Sequence, residues 1–459
     1  FIIGENQLLA MAIHPIEYRY GTEEMRRIWS EDFRFSCIVR AEVALAQALA
    51  RHGLIPARAA DAIAAGAGRA TLSRAKEIEE EIHHDMMAIV RAIAEQCGEG
   101  GGYVHFGATS NDILDTATGL QLAEATRVFD RKLRRLLAVL LRRAGETRVL
   151  VCAARTHGQI GVPTTYGLRF AIWASEIARH IERLGQLKAR IAVGQLTGAV
   201  GTQAAIGGKG MEVQATMMEL LGLSPVDVSN QVISRDRYAE YFMFLANVAT
   251  TLDKIGIEIR TLQRSEIGEV EEPFGSRQVG SSTMPHKRNP IRSEQVCGLA
   301  RVVRSSVSPA LENNTLWDER DLTNSSCERV LFPEASVLAD HILSVMTGVL
   351  DGLVLKPDRI EANLSLLHGI NMAEAVMIAL AERGMDRQKA HEILRQASME
   401  ALERNVPLIE VLSGNSDVTK IIPVNEIRAL LDPARYIGTA PAQVDRLIEK
   451  LSPLCREAL

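Results

Sequence analysis

Apolar residues recur every three or four positions through most of this chain, and polar clusters break that rhythm in only a few places. The periodic stretches cover roughly 33–51, 75–97, 113–148, 168–193, 234–267, 290–307, 333–350 and 371–383, and the spacing predicts a helix for each. In 113–148, Ala117, Leu120, Ala125, Val128, Leu136, Val139 and Leu140 follow the helical period. Prolines are absent from 57 through 162 and again from 164 through 224, so no helix breaker intervenes there. Period-two runs of Val, Ile, Thr and Tyr are missing, which leaves strand signals weak. Helices this long, with polar faces only partly charged, need partners on several sides. The pattern predicts an all-α helix bundle.

Two breaks divide the pattern. Glycines at 98, 100, 101, 102 and 107 end an N-terminal helical domain over 1–112, and the long helices follow over 113–365. A second break near Pro357 to Gly369 precedes shorter, more charged helices over 366–459. Met11 is a candidate natural start, which would make residues 1–10 a non-native or upstream-read extension. The opening ten residues have no basic leader and no clear small-residue cleavage site, so a signal peptide is not expected. No stretch approaches the apolar length that spans a membrane.

Composition narrows the function classes. A chain of 459 residues has ample interior for a large core. Its net charge of −5, with both signs interspersed, argues against a nucleic-acid or membrane-surface protein, each of which would want a basic excess. Cysteines 37, 97, 152, 297, 327 and 455 are scattered without a C-x-x-C pair. Neither structural zinc nor a disulfide framework is expected, and a reducing cytoplasm fits.

Polar islands interrupt the helices at Arg19-Tyr20, at His105 to Asp112, at Arg155 to Gln159 and at Gly275 to Pro290. Ser229 to Arg235 and Asn324 to Arg329 add two arginines and an amide. Each has a plain structural reading. Thr109 to Asp112 is a fair helix N-cap, His157 before Gly158 suits a helix end, and a lone arginine such as Arg19 suits a solvated face. His83 and His84 fall in a helix with Ile78, Ile82, Ile89 and Ile93 on one side. Neighbours on a helix point about 100° apart, so only one of the two histidines can face a given cleft.

The 275–290 island is different. Pro285 excludes a helix interior or a central strand, so the segment reads as a polar loop ending where Asn289 and Pro290 start a helix. Loops rich in donors, set between apolar helices, are where chemistry is usually placed. Gly280 to Pro290 reads Gly-Ser-Ser-x-Met-Pro-x-Lys-x-Asn-Pro. That motif resembles the fumarase/aspartase superfamily, and the likeness extends over residues 14–430. Asn111 and Asn230 depart from the pattern, each a polar exchange for Thr or Ser.

The resemblance implies β-elimination of fumarate from a succinyl group. Loss of the proton beside a carboxylate builds a doubly charged carbanion, which needs donors and positive charge, a base, and an acid for the leaving group. No metal cluster is visible and no cofactor is expected, so Lys287, Asn289 and the loop amides would supply the electrostatics. By resemblance, Ser282 is the general base, His157 the general acid, and Glu294 the carboxylate that orients it. A serine acts as a base only if its alkoxide is stabilised by Lys287, loop N–H groups or a helix N-terminus. Thr109, Ser110, Ser281, Lys287 and Asn289 resemble the succinyl-carboxylate binders. Gln231 resembles the amide near the reacting carbons, and His84 a further active-site histidine, with His105 opening its island. Arg19 and Tyr20 match the phosphate grip of the branch that acts on succinylated purine nucleotides, and Ser325 and Arg329 add to that end.

Other members fit less well. Carboxymuconate lactonising enzymes share Met-Pro-His-Lys-Arg-Asn-Pro but have no phosphate for Arg19 and Tyr20 to hold. Argininosuccinate lyases and fumarases usually carry Gln or Gly where His286 stands. Inactive structural homologues, such as lens crystallins, tend to lose the acid or base, and here Ser282, His157, Lys287 and Glu294 are all present. The resemblance implies three helical domains, the central bundle forming the core of a homotetramer with sites shared between subunits.

Overall fold

The computed structural model describes residues 12–275, 283, 284 and 286–458. The fold is all-α. Its principal helices are α1 (Glu31–Arg51), α2 (Leu72–Ile82), α3 (Asp85–Ala94), α4 (Ser110–Glu146), α5 (Tyr166–Ile191), α6 (Asp236–Leu262), α7 (Ile291–Ser305) and α8 (Thr323–Asp351). A hairpin of β1 (Val151–Thr156) and β2 (Gln159–Thr165) lies between α4 and α5, paired antiparallel with a register shift between Ala153 and Arg155.

The chain divides into two compact units. The first comprises residues up to Lys132 with His180–Leu252 and Gly298–Ser344; the second comprises Leu133–Arg179, Asp253–Cys297 and Val345–Leu459. In the first unit α1 shows how sequence sets structure. Ser30 caps it by accepting the Phe33 N–H at 3.2 Å, and Glu31 and Asp32 stand in the first turn, where the helix dipole favours them. Its inner face buries Ile38, Leu45 and Leu49 against Ile63, Ile93, Leu120, Val213 and Met217. Each such side chain contributes ~1.5–3 kcal/mol by leaving water. Leu49→Ala would therefore cost ~2–5 kcal/mol, transfer plus cavity. The second unit has its own C-terminal core, built on Val376, Leu380, Leu394, Leu408, Leu412 and Ile427.

Three expectations need correction. The stretch 75–97 is two helices, because His83 takes the left-handed conformation (φ +54°) and ends α2. The helices pack on each other through Ala75, Ile78, Ala88 and Ala92, so the apolar period survives without one continuous helix. His157 does not end a helix; it stands in the two-residue turn between β1 and β2. The helix expected from 333 begins ten residues earlier, at Thr323, where the Asp321 carboxylate accepts the Thr323 N–H at 2.8 Å. Pro333 lies inside it at the loss of one backbone bond, and Phe332, Leu338, Ile342 and Met346 bury its inner face.

That helix also reaches, by length and composition, what a membrane crossing needs, which the sequence reading did not anticipate. Its apolar window is 61% buried inside the fold, and Asp340 within it is wholly buried beside Lys132 and Thr22. That is the behaviour of a core helix.

Candidate active site

In the first unit, a cavity of about 780 Å³ gathers five of the expected residues: His84, Ser110, Gln231, Ser325 and Arg329. Asp85 and Arg320 share it. His84 starts α3, its Nδ1 accepting the Met87 N–H at 3.3 Å. Asp85 accepts the Arg329 guanidinium at 2.6 Å. Burial opposes the charge on Asp85, but the Met86 N–H and Arg329 outweigh it and hold the carboxyl below its ordinary value. The Gln231 amide is committed at both ends, donating to the Ala199 carbonyl at 2.8 Å and accepting Arg320 at 3.0 Å. Arg320 escaped the sequence reading. The available signal was the polar run Asp318-Glu-Arg-Asp321 just upstream of the Asn324 to Arg329 island.

The same unit holds a buried ionic knot. Arg235, 3% exposed, donates to Asp115 at 2.7 and 2.9 Å and to Glu328 at 3.0 and 3.3 Å. Glu328 adjoins Arg329 in α8, so the knot fixes the helix face that presents Ser325 and Arg329.

Asp112 realises the cap reading of the second island. It accepts the Thr109 N–H at 2.9 Å, and also the N–H groups of Thr197 (2.7 Å) and Gly198 (3.1 Å). One buried carboxylate thus starts α4 and pins a neighbouring loop. Thr109 sits at the cap while Ser110, the next residue, faces the cavity. His105 adopts φ +64° and is held by Glu42, which takes its backbone N–H at 3.0 Å and its Nδ1 at 2.6 Å.

Arg19 and Tyr20 stand apart from Ser325. The Tyr20 ring packs on His341 at 5.3 Å between centroids. His341 lies sixteen residues beyond Ser325 on α8, about 24 Å at 1.5 Å per residue. The two parts of the expected phosphate end therefore do not meet within one chain.

The second unit carries the rest. Ser281 and Ser282 lie outside the described residues. Lys287, Asn289 and Glu294 line a cavity of about 740 Å³ with Arg260 in the last turn of α6 and Arg264 just beyond it. The helix after the loop begins at Ile291, one residue past Pro290, whose carbonyl accepts the Glu294 N–H at 3.0 Å. Its N-terminus is capped by Glu272, which takes the Ser293 N–H and hydroxyl at 2.7 and 2.6 Å and the Arg292 N–H at 3.1 Å. Gln263 ties both ends of the loop, accepting the Glu272 N–H at 2.9 Å and donating to the Arg288 carbonyl at 3.1 Å.

His157 is exposed at the hairpin tip. Its φ of +53° and that of Gly158, +77°, are those of a primed two-residue turn, which matches the twist of the strands and accommodates Gly without strain. Arg155, two residues earlier, donates to Glu269 at 2.7 Å. Among the described residues, His157 and Glu294 make no ion pair within the chain. Nor do the described residues hold a group of three His, Cys, Asp or Glu side chains arranged to bind a metal ion.

Known proteins bear on this geometry. A family model described as "Lyase" matches residues 17–305, and one described as "Adenylosuccinate lyase C-terminus" matches 369–447. The chain is 53% identical over 451 residues to an adenylosuccinate lyase of Pyrococcus horikoshii, covering 98% of this chain and 100% of that one. It is 52% identical to that of Methanocaldococcus jannaschii, covering 96% of each. Among solved structures, a fumarate lyase from Mesorhizobium superposes with a TM-score of 0.86 at 33% identity, over 94% of this chain and 98% of that one. A 3-carboxy-cis,cis-muconate lactonizing enzyme from Pseudomonas putida does so at 0.87 and 32%, over 96% and 99%. Backbone shape alone does not separate these activities; sequence identity does.

Proposed function

The chain belongs to the adenylosuccinate lyase family of the fumarase/aspartase superfamily, and from that premise we propose how its residues divide the work. The reaction is a C–N β-elimination in purine nucleotide synthesis: adenylosuccinate gives AMP and fumarate, and the succinyl-carboxamide ribotide gives the carboxamide ribotide and fumarate.

Ser282 takes the proton from the carbon beside the carboxylate. Lys287, Asn289 and the loop N–H groups hold the negative charge that develops. His157 gives a proton to the leaving nitrogen, with Glu294 as the carboxylate that orients it. Thr109, Ser110 and Ser281 bind the succinyl carboxylates, and Gln231 sits by the reacting carbons. His84 and His105 complete the substrate-facing histidines. Arg19 and Tyr20 hold the phosphate. Ser325 and Arg329 belong to the nucleotide end, where Asp85 occupies Arg329 until an anion competes for it. The observation that carries the substrate assignment is identity above half over nearly the full length of adenylosuccinate lyases.

The same proposal makes the working enzyme a homotetramer with shared sites, in the cytoplasm, from domains over 1–112, 113–365 and 366–459. The exposed hairpin tip supports sharing, since an acid catalyst needs a water-poor partner surface that this chain's own hairpin lacks. Ultraviolet absorbance of purified protein mixed with adenylosuccinate tests the function. Release of AMP and fumarate is expected; fumarate from argininosuccinate with none from adenylosuccinate would overturn the assignment.

A further inference from the structure

The segment bearing Arg19 and Tyr20 is tied down by a buried network that the catalytic scheme leaves unused. The Thr22 hydroxyl donates to Asp340 at 2.6 Å and accepts the Lys132 ammonium at 3.2 Å. It also caps the helix Glu23–Ile28 by accepting the Met25 N–H. The second Asp340 oxygen takes Lys132. The Asp340 side chain is 0% exposed and that of Lys132 16%. Three separate elements thus meet at one carboxylate.

The neighbouring residues follow the same surface of α8. Gly21 has φ +97°, and a Cβ there would lie 2.3 Å from Val337 Cγ1, so the backbone is pressed against the helix. Tyr20 packs on His341, and the Arg19 guanidinium sits 6.0 Å from the Tyr20 ring centroid. Residues 20 to 22 therefore each touch α8 within one turn, between Val337 and His341.

A buried Lys–Asp pair is seldom the most stabilising choice at its site, because apolar side chains of equal volume often serve as well. Its value lies in fixing one arrangement. We propose that Asp340 is a positioning residue for the phosphate end: by anchoring Thr22 it holds Arg19 and Tyr20 in their binding geometry before the nucleotide arrives, so less freedom is lost on binding. The inference rests on the reading of Arg19 and Tyr20 as the phosphate grip.

The test compares inhibition by AMP and by adenosine, which differ only in the phosphate, on the full-length enzyme. Asp340→Asn is nearly isosteric, and Thr22→Val removes only the hydroxyl, so one variant remains informative if the other folds poorly. Both should reduce the preference for AMP roughly five- to tenfold while adenosine binding shifts little. Adding Asp340→Asn to Arg19→Ala should lower that preference by less than Asp340→Asn does alone, because only Tyr20 is then left to position, as expected for residues that act through one another. If Arg19→Ala lowers the preference but Thr22→Val and Asp340→Asn do not, Asp340 is structural only and the inference falls. Equal weakening of both ligands also overturns it. If Arg19→Ala itself leaves the preference intact, the phosphate reading fails first and the inference with it.

Discussion

The Tyr166 hydroxyl donates to Glu269 at 2.6 Å, with the tyrosine 2% and the glutamate 0% exposed. The other oxygen of the same carboxylate accepts Arg155 at 2.7 Å and Asn363 at 2.9 Å. Arg155 belongs to β1 and Tyr166 directly follows β2, so one buried group holds both legs of the hairpin whose tip is His157. Burial, then the Glu269 charge, pushes the Tyr166 phenol well above its ordinary value, so it remains a donor at any physiological pH.

Glu269→Ala should lower kcat by roughly 10- to 100-fold with KM nearly unchanged, because a loosened acid matters most in the transition state. It should also cost ~3–5 kcal/mol of stability by stranding Arg155. Glu269→Gln keeps the shape and an acceptor for Arg155, so its loss of stability should be smaller. Steady-state kinetics beside thermal melts read both quantities. A Glu269→Ala enzyme that folds and keeps wild-type kcat would show that His157 needs no such anchor.

None of this is legible in the sequence. Glu269, Glu271 and Glu272 stand within four residues of one another, yet each carboxylate is committed elsewhere: to the hairpin, to Arg288 and Lys356, and to the N-terminus of α7. Glu269 meets partners 103 and 114 residues away, and pairings at that distance leave no local pattern. The long helices are legible because Leu, Val and Ile contrast with charged neighbours at helical spacing. Ala57–Gly66 escapes because most of its apolar positions are alanines, which give little contrast. His83 ends α2 without the glycine that usually marks such a turn. The loop motif is legible residue by residue, whereas the separation of Tyr20 from Ser325 follows only from the length of α8.

Ser282→Ala and His157→Ala should each reduce turnover by roughly two to three orders of magnitude, with substrate binding largely intact, as loss of a positioned base or acid does. Equilibrium binding of adenylosuccinate alongside single-turnover rates separates the two effects. Near-normal turnover in Ser282→Ala would mean that another group takes the proton.

The His105–Glu42 pair predicts a pH dependence of stability. Burial disfavours a charged imidazole, but the Glu42 hydrogen bond and charge outweigh it and raise the His105 value. A raised folded value gives stability that is fully present below the unfolded value of about 6.5 and fades as pH climbs through the folded one. Glu42→Gln should therefore depress the melting temperature most near about pH 6, by the equivalent of ~1–3 kcal/mol, and less near about pH 9. An equal gap at both ends would mean that His105 stays neutral in the folded protein.

The last prediction concerns assembly. His157 is exposed at its hairpin tip and makes no ion pair with Glu294 among the described residues of its own chain. An acid and the carboxylate that orients it belong within hydrogen-bond reach, and the proposed shared site takes them from different subunits. Ser282 stands in the same loop that leads into Glu294, so it would arrive from the subunit that supplies Glu294. Mixing inactive Ser282→Ala with inactive His157→Ala and re-forming the oligomer should then restore activity. With random equimolar assembly, about a quarter of the sites would receive both groups intact, by the arithmetic of a symmetric assembly. Fumarate release by the mixture, after mass measurement has verified mixed oligomers, reads the outcome. A mixed oligomer as inactive as its parents would mean that each site takes its acid and base from a single chain.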